Sequence, residues 1–187
     1  MTGEEPFLNS DNNLLLGNFW QWAYSDLLNN TTRGILAEFI VSSALDESAK
    51  QRTEWERFDL SYKGLGIEVK SAAYVQSWKQ KQPSKILFDI APKKAYSYES
   101  NMYSTEAIRQ AEIYVFCLLD WQEKEGCNPL DLNQWTFFAL PTVTINAKLK
   151  SQKSLSFSSL KALKPIETKY STLRNSIDKI IDMNNQP

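Results

Sequence analysis

The spacing of apolar residues in the first quarter of the chain predicts two helices. Apolar residues recur at helical spacing from Trp20 to Leu28, which predicts a first helix with Asn18 as its cap. Residues 29–32 are polar and rich in capping residues, so they end this helix and begin another. The second helix is predicted at about 33–45, with an apolar set of Ile35, Leu36, Phe39, Ile40 and Leu45.

After residue 50 the pattern becomes typical of strands. Strands are predicted at 54–61, 65–73, 85–90 and 135–140, and the continuous apolar run at 113–119 indicates a central strand. Residues 92–108 are rich in turn formers, and a short helix is predicted at 104–110. A short strand is predicted within 151–159 and a last helix at 166–183. This order predicts an α/β domain with a central mixed β-sheet flanked by helices.

The two strands beside Lys63-Gly64 predict a hairpin that sorts its side chains by polarity. With a two-residue turn there, the numbers of opposed residues add to 127, so Asp59 lies opposite Glu68. Side chains alternate between the faces of a strand. One face then carries the apolar residues Phe58, Leu60, Ile67 and Val69, and the other carries Arg57, Asp59, Glu68 and Lys70.

Two carboxylates that face each other across a hairpin need a cation. Directly opposed β-carbons lie about 4.5–5.5 Å apart, where like charges are destabilising. Mg²⁺ would offset this repulsion, because it prefers carboxylate oxygens and retains waters. The ammonium of Lys70 on the same face can hold or deprotonate a metal-bound water. Such a set of groups suits displacement at phosphorus.

The register of this hairpin is an assumption with an alternative. Lys-Gly is a weaker turn signal than Asn-Gly, and a slip by one residue would turn the two carboxylates to opposite faces. Glu-x-Lys triplets are common, and an ordinary half-exposed hairpin would carry the same charges in solvent. Both interpretations stay open at this point.

Composition limits the classes of function that remain. The chain has 187 residues, 42% of them apolar, which suits a single domain at 1–187. It has no histidine, which excludes the hydrolases and zinc enzymes that require one. Two cysteines without a CxxC pair argue against a structural zinc site and a disulfide framework. No apolar run has the length of a membrane helix and no secretory signal is present, so we expect a cytoplasmic protein without a membrane partner.

Charge is spread unevenly along the chain. The formal net charge is −1, but residues 1–60 carry a net −6 and residues 141–187 a net +5. This asymmetry favours a polyanionic partner near the basic C-terminal extension, 141–187. A solvated lysine-rich face is the alternative.

The hairpin also resembles a known family. Phe58-Asp59-Leu60 followed by Gly66-Ile67-Glu68-Val69-Lys70-Ser71 is similar to the PD-(D/E)xK superfamily, which includes many restriction endonucleases, and the run 68–78 is similar to nuclease-like proteins of bacteria. The resemblance implies a restriction endonuclease-like core at about 33–120. Phe58 replaces the signature proline, and the helix that the family normally has between its third and fourth strands is not evident.

The resemblance implies roles for individual residues. Asp59 and Glu68 would hold Mg²⁺ (or Mn²⁺) together with the backbone carbonyl of Val69, and Lys70 would assist the attacking water. Glu38, on the helix before the first strand, takes the place of a further catalytic and metal-binding glutamate. Position along the chain, rather than the resemblance, marks the residues expected to meet the substrate: Ser71, Gln76, Trp78 and Lys79 follow Lys70, and Arg109 precedes the central strand. The alternatives are a core position for Trp78 and a structural ion pair for Arg109.

These observations lead to one expected function and two alternatives. We expect a Mg²⁺-dependent nuclease that hydrolyses phosphodiester bonds in DNA, as a single chain or as a homodimer. The first alternative is a catalytically inactive nucleic-acid-binding or interaction module with the same fold. The second is a regulatory or scaffold protein in which the Glu-x-Lys hairpin is accidental, and this one predicts no metal binding.

Overall fold

A computed structural model describes residues 1–10, 13–48, 52, 57–97 and 102–184. The helices in this part are α1 Leu16–Tyr24, α2 Asn30–Ala44, α3 Thr142–Leu149, α4 Phe157–Ala162 and α5 Tyr170–Asn184. The strands are β1 Leu60–Tyr62, β2 Leu65–Ala73, β3 Leu87–Asp89, β4 Lys93–Ser97, β5 Met102–Ile108, β6 Ile113–Leu119, β7 Trp135–Pro141, β8 Ser154–Ser156 and β9 Ile166–Thr168. Among these helices none is long and apolar enough to cross a membrane.

A five-stranded mixed sheet forms the centre of the molecule. Its strand order is β1-β2-β6-β7-β9. Strands β2 and β6 are parallel, whereas the other neighbouring pairs are antiparallel. All seven residues of β6 are buried, as expected for a continuous apolar run covered on both faces. The predicted mixed α/β architecture with a central sheet is therefore confirmed.

Each face of the sheet has its own apolar core. On one face α2 and α5 pack against alternate sheet residues, with Ala37, Val41 and Ile177 among the fully buried side chains. On the other face lie α3, α4 and the small sheet of β3 and β8, with Phe88 and Leu160 buried among them. The segment predicted as a basic C-terminal extension supplies β9 and α5, so its described residues are an integral part of the fold.

Strands with strong local signals form where the sequence predicts them. The strand predicted at 65–73 and the central strand predicted at 113–119 have the bounds of β2 and β6. The strand predicted at 54–61 is confirmed only at its end, because β1 begins at Leu60 and residues 53–56 lie outside the described part. The last helix begins at Tyr170 rather than near 166, because residues 166–168 pair with β7 as β9.

Two predictions about elements outside the main sheet are wrong. The short helix expected at 104–110 is instead strand β5, which pairs with β4 in a two-stranded arm. Every residue of β5 is exposed, so the arm stands away from both cores. In α2 the predicted apolar residue Phe39 is 58% exposed, because Ala37, Ile40 and Val41 form the buried stripe instead.

Candidate active site

The hairpin of β1 and β2 has the register that the sequence predicts. Leu60 pairs with Ile67, Ser61 with Gly66 and Tyr62 with Leu65. Lys63 and Gly64, between them, have φ angles of 50° and 79°. Two consecutive residues with positive φ are the hallmark of the two-residue turn that matches the twist of a hairpin. The alternative of a one-residue slip is therefore excluded.

The chain departs from the predicted ladder at Asp59. The strand pairing ends at Leu60, whose partner is Ile67. The Asp59 N–H donates to the carbonyl of the same residue, Ile67, at 3.1 Å. Phe58 consequently does not reach the apolar core face. Its ring lies over Gly66, so close that a β-carbon at Gly66 would be 2.3 Å from Phe58 Cδ1. The prediction that Phe58 faces the core is wrong, because the chain bends where the ladder was expected to continue.

This bend still brings three of the predicted side chains together. Asp59 Oδ2 accepts a hydrogen bond of 2.7 Å from the Val69 N–H. Lys70 Nζ donates to Glu68 Oε1 at 2.5 Å, and the exposed fractions of these two side chains are only 18% and 12%. The charge of Asp59 acts on both Glu68 and Lys70, and the charge of Lys70 acts on both carboxylates. The tertiary structure thus places Asp59, Glu68 and Lys70 in one half-buried cluster, and their chemical roles stay predictions.

Burial sets the ionisation behaviour of this cluster. Burial raises the pKa of Asp59, and the opposing effects of Lys70 and of the Val69 N–H do not cancel it. The pKa of Glu68 is also raised, first by burial and then by the charge of Asp59. Burial lowers the pKa of Lys70, but the attraction and hydrogen bond of Glu68 outweigh it, so the net shift is upward. Lys70 is therefore an ammonium that is paired with Glu68 and attracted by Asp59, while burial is the first cause of the raised pKa of both carboxyl groups.

Glu38 lies within electrostatic range of this cluster but is paired elsewhere. Its charge raises the pKa of Asp59. Its side chain, 15% exposed, accepts a hydrogen bond of 2.5 Å from Arg52 Nε. Glu38 is thus near enough for its charge to act on Asp59, while its carboxylate is held by an arginine, and its role in the site stays a prediction.

The donor set fits a small, hard cation. Asp59 and Glu68 offer carboxylate oxygens, and in a regular strand the N–H and C=O of one residue point to the same side, so the Val69 carbonyl lies on the side of β2 where the Val69 N–H binds Asp59. Mg²⁺ is commonly held by one or two carboxylates and keeps several waters. In the described ranges no three His, Cys, Asp or Glu side chains come together closely enough to form a metal cage. The cluster therefore suits an ion that remains partly hydrated.

Ser71 and Gln76, predicted to meet the substrate, are instead bonded to a buried arginine. Arg33 on α2 is 4% exposed and donates to Ser71 Oγ at 3.4 Å and to Gln76 Oε1 at 3.2 Å. It also donates to the Leu28 carbonyl and to Asn30 Oδ1. Gln76 is itself buried and donates to the Ala73 carbonyl at 2.8 Å. These bonds brace the end of β2 against the start of α2, so we leave Gln76 out of the proposed substrate contacts.

Arg109, also predicted to meet the substrate, is likewise held by hydrogen bonds within the protein. Its guanidinium donates to the carbonyls of Ile90, Lys150 and Gln152 and to Asn146 Oδ1, all at 2.7–2.8 Å. The side chain is 7% exposed. It ties the start of the central strand to the layer of α3 and β8, so we also leave it out of the proposed substrate contacts.

Trp78 and Lys79, by contrast, lie on an open groove beyond the end of β2. The indole of Trp78 is 53% exposed. The groove has a volume of about 550 Å³, and three lysines, Lys79, Lys81 and Lys124, line it. Of the described residues that line it, none is acidic. A groove with an exposed aromatic ring and excess positive charge suits a nucleic-acid strand.

Sequence reasoning missed two charged groups near the cluster. Lys93, at the start of β4, has its Nζ 4.0 Å from Glu68 Oε1. Asp89, at the end of β3, is close enough for its charge to raise the pKa of Lys70. No local pattern marks either residue, because both reach the cluster only when the β3–β4 segment folds against β2.

Comparison with known proteins gives one family. A family model described as bacteriophage T4 endonuclease IV matches residues 21–159. The match includes α2, the hairpin and the central strand, and so all of the cluster around Asp59. No curated protein and no solved structure matches the chain significantly.

Proposed function

The chain belongs to the bacteriophage T4 endonuclease IV family and is a nuclease, and we propose that it hydrolyses phosphodiester bonds of DNA with the help of Mg²⁺ or Mn²⁺. We further propose that the catalytic centre is of the PD-(D/E)xK type, in a restriction endonuclease-like fold. The observation that carries this proposal is the half-buried cluster of Asp59, Glu68 and Lys70. The proposal concerns a single chain, because neither the family match nor the described residues support a homodimer.

The two carboxylates would hold the metal ion. Asp59, Glu68 and the Val69 carbonyl are its proposed ligands, with Glu38 as a further ligand if it leaves Arg52. A divalent ion bound there would neutralise phosphate charge and make a water molecule more acidic. The bond between Asp59 Oδ2 and the Val69 N–H fixes one carboxylate oxygen in place, so the side chain is already oriented toward the cluster before any ligand binds.

Lys70 would act through its charge. Because its pKa is raised, it is protonated at neutral pH and is a poor proton acceptor. We propose that it orients the attacking water and stabilises the negative charge that develops on the phosphate oxygens. In the hydrolysis the water oxygen bonds to phosphorus while the bond from phosphorus to the leaving oxygen breaks. The attacking water gives its proton to solvent, solvent water protonates the leaving oxygen, and Lys70 forms no covalent bond.

The groove beyond β2 would hold the nucleic acid next to the scissile bond. Lys70 lies in β2, and the lining of the groove begins at Tyr74, directly after the last residue of β2, so one chain segment leads from the cluster to the groove. We propose that Trp78 stacks on a base and that Lys79 pairs with a phosphate. Stacking of a base on an aromatic side chain contributes about 1–3 kcal/mol.

The proposal is tested by pairing cleavage with thermal melting. Lys70→Ala is expected to abolish cleavage of supercoiled, linear or single-stranded DNA and to retain the stabilisation that Mg²⁺ or Mn²⁺ gives the folded protein. Asp59→Ala is expected to lose both, because it removes a ligand. Lys179→Ala, an exposed lysine on α5, is the matched control and should behave like the wild type.

Three outcomes would contradict this assignment. If Lys70→Ala still cuts DNA, the lysine has no catalytic role. If neither metal shifts the melting temperature and no form of DNA is cut, the cluster is not a metal-dependent nuclease centre. Binding of DNA without cleavage would then favour the inactive nucleic-acid-binding module.

A further inference from the structure

Lys93 is held at the rim of the cluster by its backbone. Two residues earlier, the Ala91 N–H donates to Asp89 Oδ1 at 3.0 Å, which forms a tight turn at the end of β3. Pro92 follows and fixes its own φ angle. The Lys93 carbonyl then accepts from Gln110 Nε2 at 3.3 Å, and Lys93 pairs with Ile108 across the arm. The position of Lys93 is therefore set by the base of the β4–β5 arm and not by its own side chain.

The ammonium of Lys93 faces the same carboxylates as that of Lys70. Its Nζ is 4.0 Å from Glu68 Oε1, and its charge lowers the pKa of both Asp59 and Glu68. Two ammonium groups thus converge on Glu68 from different elements, one from β2 and the other from the arm.

The two lysines differ in how firmly they are held. Lys70 is 18% exposed and bonds Glu68 Oε1 at 2.5 Å, whereas the Lys93 side chain is 61% exposed. Across the described residues the Lys93 ammonium donates no hydrogen bond, since 4.0 Å is beyond hydrogen-bonding distance. Lys93 therefore has all three N–H donors free beside the cluster, on its solvent side, where a phosphate would approach.

We propose that Lys93 is a further catalytic residue, which binds a non-bridging oxygen of the scissile phosphate and stabilises its charge in the transition state. The inference rests on the proposed nuclease function. Glu68 Oε1 already accepts the hydrogen bond of Lys70, whereas the Lys93 ammonium lies beyond hydrogen-bonding distance of that oxygen. During hydrolysis Lys93 makes only hydrogen bonds, and no proton or electron pair moves through it.

The neighbouring lysine gives a matched control. Lys94 is the next residue of β4, is also exposed, and projects to the other face of the arm. Both residues add one positive charge to the same strand, so a general attraction of the arm for DNA would affect both alike. Only a contact with the reacting phosphate would separate them.

The experiment measures single-turnover cleavage at saturating DNA for Lys93→Ala, Lys93→Arg and Lys94→Ala. We expect the rate of Lys93→Ala to fall about 10- to 100-fold, which is less than the roughly 100- to 1,000-fold for a preorganised, water-excluded oxyanion donor, because the Lys93 side chain is 61% exposed. Lys93→Arg should recover a large part of that loss, and Lys94→Ala should stay within about twofold of the wild type. Melting temperatures should be unchanged, since the side chain is exposed and makes no hydrogen bond with the described residues.

Four results would overturn the inference. If Lys93→Ala cuts at the wild-type rate, Lys93 has no catalytic role while the nuclease proposal stands. Equal losses in Lys93→Ala and Lys94→Ala would mean a general charge effect of the arm. If Lys93→Ala loses both rate and melting temperature and Lys93→Arg does not recover the rate, Lys93 has a structural role. A wild-type protein that cuts no DNA would overturn the nuclease proposal and this inference together.

Discussion

A single methyl group at Gly66 should test whether the geometry at Asp59 matters for function. Gly66 lies in β2 opposite Ser61, and the ring of Phe58 covers its α-carbon. Phe58 directly precedes Asp59, whose carboxylate is anchored to the Val69 N–H. The substitution Gly66→Ala removes no charged group, so any loss of activity would come from displacement alone.

The size of the effect follows from the contacts. A β-carbon at Gly66 would be 2.3 Å from Phe58 Cδ1 and 2.7 Å from both Cε1 and Cγ, whereas carbon atoms in favourable contact are about 3.5–4.0 Å apart. The ring must therefore move by more than about 1 Å. Overpacking of this kind costs about 1–3 kcal/mol, and the lower entropy of the unfolded chain returns about 0.5–1 kcal/mol. We expect a net loss of about 1–2 kcal/mol, or roughly 2–8 °C in melting temperature for a domain of this size.

The same reasoning predicts the opposite sign at another glycine. Gly34 lies inside α2, and a β-carbon there would have nothing within 4 Å. Gly34→Ala should therefore stabilise the protein by about 0.5–1 kcal/mol through helix propensity. Urea unfolding and melting of the two variants, with cleavage measured in parallel, make a paired assay. Gly66→Ala should lower cleavage by as much as about 100-fold if Asp59 shifts by about 1 Å, and Gly34→Ala should leave it unchanged.

A Gly66→Ala protein as stable and active as the wild type would refute this reasoning. It would mean that Phe58 does not hold the bend at Asp59. Lower stability with full activity would be a narrower refutation, because the ring would then pack over Gly66 without positioning the carboxylate.

Three further predictions concern charge and burial. Because the pKa values of Asp59 and Glu68 are raised in the folded state, the metal-free protein binds these protons more tightly than the unfolded chain does. The free energy of unfolding of the metal-free protein should therefore fall as pH rises above about 4 through the raised pKa values. Urea unfolding of the double variant Asp59→Asn, Glu68→Gln should show a smaller fall, and an equal fall would contradict the raised pKa values. Arg33→Met should cost roughly 2–4 kcal/mol in urea unfolding, because it leaves buried acceptors such as Gln76 Oε1 without a donor, and a loss below 1 kcal/mol would show that the site relaxes. Three exposed lysines, Lys148, Lys150 and Lys153, should be replaced together by glutamine. The change should weaken DNA binding and lower the slope of log affinity against log salt concentration by up to about 3. An unchanged slope would mean that these lysines are only a solvated surface.

The sequence alone determined the elements whose signals are local. The apolar run of β6 has only one stable place in a sheet that is covered on both faces, which is the middle of that sheet, and all its residues are buried there. The register of the hairpin followed from a two-residue turn. Once the position of the turn is set, each residue has a fixed partner, and because side chains alternate between the two faces of a strand, each side chain also has a fixed face. The proximity of Glu68 and Lys70 could be predicted in the same way, because both residues lie on one face of one strand.

The tertiary structure decided what depends on contacts between distant segments. The bend at Asp59 places Phe58 over Gly66. The periodicity of the sequence does not predict where the pairing of β1 with β2 ends. Residues predicted as helix became β5 because β4 pairs with them, and pairing outweighs weak local preference. Gln76 and Arg109 were buried by partners far along the chain. Lys93 reached Glu68 because a turn at Asp89 and Pro92 directs the arm there. Sequence periodicity specifies which face a side chain occupies, whereas the neighbours on that face are specified only by the packed fold.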